Sequence, residues 1–114
     1  MDQAFGIVEQ GRDGATVVSV SGEVDVATAP ALRDRLASVA DGADGRPVVV
    51  DLSGVTFIDS TGLGVLIGAR KRCEDDGCAL RIVILEPRIL KVFDITGLTE
   101  LFSIHPTLNA ALAV

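Results

Sequence analysis

The sequence has 114 residues, 48% of them apolar, enough to bury a core without staples. With only Cys73 and Cys78 it lacks the disulfide density of small secreted domains, so a cytoplasmic setting is expected. Sixteen acidic against ten basic residues give a formal charge of −6, which repels nucleic-acid phosphates and anionic headgroups, and the absence of Trp and Tyr removes the usual base-stacking anchors.

No run approaches the roughly 20 apolar residues of a membrane span, and no N-terminal stretch follows the signal-peptide pattern. The expected partners therefore include no nucleic acid and no membrane. One domain spanning residues 1–114 is the default reading, without linker, repeat or low-complexity tract.

In chain order, Phe5 to Gln10 reads as a strand closed by a turn over Gly11, Arg12, Asp13 and Gly14. Ala15 to Ser21 follows as a second strand, with Val18 and Val20 on one face and Gly22 as its stop. From about Val26 to Ala40 the period becomes helical, with Leu32, Leu36, Val39 and Ala40 on one stripe. Thr28 or Asp25 is the expected cap, and Pro30 favours a start near Thr28, since proline fits only the first turn.

Pro47 to Leu52 is a continuous, mostly β-branched run, suited to a central strand covered on both faces. A loop over Ser53 to Asp59 leads to a second helix at about Ser60 to Asp75, burying Leu63, Leu66 and Ile67 and closed by Gly77. Leu80 to Leu85 is the fourth strand. Pro87 opens a short helix carrying Ile89, Leu90, Val92 and Phe93, which Gly97 stops. Leu101 to Ile104 forms a last strand, and Thr107 to Val114 a terminal helix started by Pro106. The pattern is an opening hairpin strand followed by βαβαβαβα. It predicts an α/β fold with a mixed sheet of four to five strands and about four helices.

The stretch from Asp51 to Gly64 joins a buried strand to a helix start and holds the main candidate for chemistry. At the helix start, the Ser60 hydroxyl is placed to accept from the unpaired N–H groups of the first turn as a cap. The same geometry suits a phosphate, which would meet the positive end of the helix dipole and free backbone donors without unfolding the chain. Gly62 and Gly64 leave the first turn bare. Gly64 and Gly68, four apart, are expected to let the helix pack closely on the sheet.

Rival chemistries lack their residues. Gly62, Leu63 and Gly64 fail the spacing of a dinucleotide-binding turn, because the third glycine, Gly68, comes one residue late and the glycines fall inside the helix. No nucleophile has a base: His105 is the sole histidine, expected as a helix cap or surface residue, and Ser60 lacks a nucleophile-elbow context. Cys73 and Cys78 have no second pair or histidines at zinc spacing and read as ordinary thiols. No catalytic residue, cofactor or metal is expected.

The chain resembles the STAS domain family of bacterial anti-sigma factor antagonists over nearly its whole length. The resemblance is carried by Ser21 to Asp25 (Ser-Gly-Glu-Val-Asp), by Asp51 to Gly64 with Phe57, Ile58, Asp59, Ser60, Thr61, Gly62, Leu63 and Gly64, and by Val92 to Leu98 (Val-Phe-Asp-Ile-Thr-Gly-Leu). It implies partner switching, in which the unphosphorylated domain binds an anti-sigma factor serine kinase of the GHKL ATPase type and frees a sigma factor. Phosphorylation at the Ser60 position ends the antagonism, and a PP2C-type phosphatase restores it. On this resemblance Ser60 is the phosphoacceptor, Asp25 lies beside it, and Asp59, Thr61, Gly62 and Leu63 complete the docking edge. Thr61 stands where many members have a second serine. ATP belongs to the partner. A STAS scaffold or accessory subunit of a stress-signalling or transport assembly, without sigma-factor control, is the alternative. A small nucleotide-binding or hydrolytic enzyme would need convergent titratable groups that the sequence does not supply.

Overall fold

The protein is described from a computed structural model covering residues 4–114. β1 (Gly6–Arg12) and β2 (Ala15–Val24) form an antiparallel hairpin. Its turn is Asp13 and Gly14, with φ of 52° and 80°, the paired left-handed conformation that matches strand twist in a two-residue hairpin loop. β1 therefore runs two residues further than the turn-rich composition suggests.

The remaining elements alternate: α1 (Ala29–Gly42), β3 (Val48–Ile58), α2 (Ser60–Asp75), β4 (Leu80–Val83), α3 (Pro87–Ile95), β5 (Ser103–His105) and α4 (Leu108–Leu112). The sheet order is β1-β2-β3-β4-β5, with every pair after the hairpin parallel. The mixed five-stranded sheet and four helices match the expected fold class and element order.

Two apolar layers follow from this topology. The larger packs Val18, Val20, Val24, Val50, Leu52 and Ile82 of the sheet against Leu32 and Leu36 of α1, Leu66 of α2 and Phe93 of α3. Phe93 is fully buried and meets Phe102 edge to face, with ring centroids 5.9 Å apart. On the other face Ala15, Val17, Val49 and Val83 receive Ala111 of α4, and Arg81 Nη1 donates to the Ala111 carbonyl at 3.0 Å. β3 is thus covered on both faces at Val48–Val50, as its valine run requires.

Several boundaries differ from the expectation. β2 does not stop at Gly22: it continues to Val24 through a register shift, with Gly22 at φ 86°. A Cβ there would lie 2.9 Å from the Ala4 carbonyl oxygen and from Phe5 Cα, so only glycine fits. The segment expected as a loop, Ser53 to Asp59, is mostly strand, since β3 continues to Ile58 by pairing with β2 alone. β4 pairs with β3 only at Val48–Asp51, so β2 and β3 form a two-stranded overhang. Ile67 is 41% exposed rather than buried, and β4 ends at Val83, leaving Leu85 exposed. β5 begins two residues later than expected and takes in His105, while α4 starts at Leu108 because Thr107, not Pro106, sets its start by accepting from Ala110 N–H at 3.1 Å.

Candidate functional site

The candidate site is the tip of the overhang, where the chain leaves β2 for α1 and β3 for α2. The two departures are tied together by Asp59 N–H donating to the Val24 carbonyl at 3.2 Å. Asp25 and Asp59 are therefore neighbours, both half-buried.

Each aspartate organises a helix start. Asp25 Oδ1 accepts from the N–H groups of Ala27 and Thr28 at 3.0 and 3.1 Å. In return, Thr28 Oγ1 accepts from Asp25 N–H at 2.9 Å and donates to the Glu23 carbonyl at 2.9 Å. The two candidate caps of α1 thus act together: Thr28 occupies the cap position without a forward bond, and Asp25 satisfies the backbone donors from the preceding turn.

α2 runs over Ser60–Asp75 as expected, but its expected cap is corrected by one residue. Asp59, extended at ψ −175°, is the cap, and its Oδ1 accepts from Gly62 N–H at 3.1 Å. Ser60 is the first helical residue instead. It is exposed, and among the described residues no hydrogen bond engages its side chain. Asp and Ser are equally good caps, so their adjacency left the position open in the sequence.

The other site residues divide by depth. Thr61 is exposed beside Ser60, whereas Gly62 is buried and Leu63 is only 6% exposed, so neither of the latter offers a side chain to solvent. Gly62 is where the helix meets the sheet: a Cβ there would lie 2.7 Å from Val24 Cγ1 and 2.8 Å from Ile58 Cγ1. Gly64 and Gly68, expected to serve that purpose, meet nothing within 4 Å. They line an open groove of about 240 Å³ between α1 and α2, together with Arg33, Ala37, Val65, Ala69 and Arg72.

Two apolar residues at the tip were given no site role from the sequence, although Phe57 lies in the motif that carries the family resemblance. Val26 is 71% exposed and Phe57 47% exposed, flanking the two helix starts. Their signal was an apolar residue at a polar turn and one in a segment read as loop.

Elsewhere, the groups that could carry chemistry are hydrogen-bonded or buried. His105 Nε2 lies 2.8 Å from Ser103 Oγ on β5, as a strand residue rather than a cap. Cys73 and Cys78 are free and buried, and burial followed by the neighbouring Cys78 pushes the Cys73 thiol up to about 12. Among the described residues no three His, Cys, Asp or Glu side chains cluster as metal ligands, and no helix is long and apolar enough to cross a membrane.

A sheet of one antiparallel and three parallel pairs carrying four helices defines a class of domain, and the family comparison agrees on the fold. The model of the STAS domain matches residues 7–111, and the chain belongs to that family. It is 42% identical over 88 residues to the anti-sigma-B factor antagonist of Bacillus subtilis, an alignment covering 76% of this chain and 78% of that one. Among solved structures, an anti-sigma factor antagonist from Mycobacterium paratuberculosis superposes with a TM-score of 0.87 at 35% identity, covering 96% and 92% of the two chains. The phosphorylated form of the Bacillus protein SpoIIAA shares the fold, with a TM-score of 0.70 at 22% identity over 96% of this chain and 97% of that one. These names describe regulatory binding proteins, not enzymes.

Proposed function

We propose that this chain is a cytoplasmic anti-sigma factor antagonist that binds an anti-sigma factor serine kinase of the GHKL ATPase type and so releases a sigma factor. Phosphorylation of Ser60 by that kinase ends the binding, and a PP2C-type phosphatase resets it. The carrying observation is the division of labour between two adjacent residues: Asp59 caps α2, and the Ser60 hydroxyl stands exposed with no structural duty. Modifying it removes no helix cap, and the phosphate enters at the positive end of α2.

The docking edge in this reading combines Ser60 and Thr61 with the carboxylates of Asp25 and Asp59, with Gly62 and Leu63 fixing the turn from beneath. Val26 and Phe57 supply apolar contact at either side. A phosphate adds about −1.5 to −2 charge at this surface. Desolvating that charge against a partner shifts the equilibrium by about 1–3 kcal/mol or more, the scale of a typical switch.

The test is incubation of wild type and Ser60→Ala with ATP and the anti-sigma kinase of the same organism, read by intact mass and by affinity. Wild type is expected to gain one phosphate and bind at least tenfold more weakly afterwards, while Ser60→Ala gains none and stays bound. A phosphate on Ser60→Ala would move the acceptor to another hydroxyl, Thr61 first. Undiminished binding of the phosphorylated wild type would end the switch reading.

A further inference from the structure

The groove between α1 and α2 runs between the two helices from Arg33 and Gly64 to Arg72, and its lining shows how they are registered. At the far end Arg72 Nε and Nη2 donate to the two carboxylate oxygens of Asp41, each at 2.9 Å, across a sequence separation of 31. The same separation relates Arg33 to Gly64 and Ala37 to Gly68, which line the groove together. Carried one turn further, it places Ser60 level with Ala29, the first residue of α1. Arg33 therefore stands one helical turn from Ser60 along the pair and one helix across.

Three features direct Arg33 toward that end. Helix side chains lean toward the N-terminus, so the surface a residue covers lies over the preceding turn. Gly64 lies beside Ser60 on the same face one turn on, and its lack of a side chain leaves the path open. Arg33 is also exposed and without an ion pair among the described residues, whereas Arg35, Arg70, Lys71 and Arg72 are paired with Glu9, Glu74, Asp75 and Asp41. With helix axes about 9 Å apart and a turn rising about 5–6 Å, the gap is within the joint reach of an arginine and a phosphoserine.

We infer that Arg33 receives the phosphate on Ser60 within the same chain, closing the open head of the α1–α2 groove with a charge-assisted fork. The inference rests on the reading of Ser60 as the phosphoacceptor. The guanidinium presents two parallel N–H donors to phosphate oxygens, and the positive end of the α2 dipole favours the charge. The phosphate is then held over the groove rather than left free in solvent. The carboxylates of Asp25 and Asp59 face the same end and oppose the second ionisation of the phosphate, so Arg33 is the group that favours the dianion.

The experiment installs phosphoserine at position 60 during translation, bypassing the kinase, in wild type, Arg33→Gln and Arg35→Gln, and follows the second phosphate ionisation by phosphorus NMR. The apparent value, ordinarily near 6, is expected to rise by about half a pH unit in Arg33→Gln relative to wild type, roughly a threefold change in proton affinity. Arg35→Gln, with the same charge change on the same helix, is expected to match wild type. Coincident titrations of wild type and Arg33→Gln would overturn the inference, as would an equal rise in Arg35→Gln, which would reduce the effect to the general field of α1. Because no kinase is involved, either negative result bears on Arg33 alone, while failure of a kinase to modify Ser60 bears on the switch itself.

Discussion

The two ends of the α1–α2 pair are built from the same helices to opposite purposes. At the C-terminal end the polar groups close on one another: Asp41 and Arg72 form a two-point ion pair, and the nearby thiols of Cys73 and Cys78 are buried. At the N-terminal end the backbone is satisfied from within by Asp25, Thr28 and Asp59, which leaves Ser60, Thr61, Val26 and Phe57 turned outward. A surface can be both rigid and available when the residues that fix its backbone are not the ones it presents.

The sharpest test of this contrast sets two glycines of α2 against each other. Gly62→Ala drives a methyl group against the buried side chains of Val24 and Ile58, and overpacking at that site is expected to outweigh the gain in helix propensity, for a net loss of about 1–2 kcal/mol. Gly64→Ala meets nothing and is expected to stabilise by about 0.5–1 kcal/mol. Urea unfolding of the two variants reads both signs. A stable Gly62→Ala would mean the junction of helix and sheet is looser than its packing implies.

A smaller effect separates Asp59 from Ser60. Asp59→Ala is expected to lose about 1 kcal/mol by removing the α2 cap, and Asp59→Asn to recover most of it, while Ser60→Ala leaves stability nearly unchanged. Equal losses for Asp59→Ala and Ser60→Ala would return the capping role to the serine.

The weakest expected effect lies at the closed end. The hydrogen bond from Arg72 holds the Asp41 carboxyl below its ordinary value of 3.8. A carboxyl lowered on folding contributes stability above its unfolded value and loses it as the pH falls through the folded one. Asp41→Asn should therefore differ from wild type slightly at neutral pH and converge with it in acid below pH 4, by thermal unfolding at several pH values. Both partners are exposed, so water and salt screen the pair and the difference is small.

Element order and fold class were legible because each helix and strand carries its own period: the valine run of β3, the Leu32–Leu36 stripe of α1, and the proline and glycine bounds of α3. The overhang was not legible. Ser53 and Gly54 carry turn chemistry, and nothing local reveals that β2 alone would resume pairing at Gly54 across a register shift. At the site, the Asp-Ser-Thr-Gly stretch located the helix start at Ser60 and left only the capping side chain open. It could not separate cap from first helical residue, because that depends on the extended backbone of Asp59. Val26 and Phe57 became visible only once the tip was assembled, since their exposure is a property of the fold and not of their type.

The overhang has one more consequence. Beyond Asp51, β3 has no strand partner on its β4 side, and Ser53, Thr56 and Phe57 are exposed along it, as is Glu23 on β2. Residues that few neighbours depend on can be exchanged at little cost to folding. Substitutions at these exposed positions are therefore expected to change the shape and charge of the tip while the core beneath it stays the same.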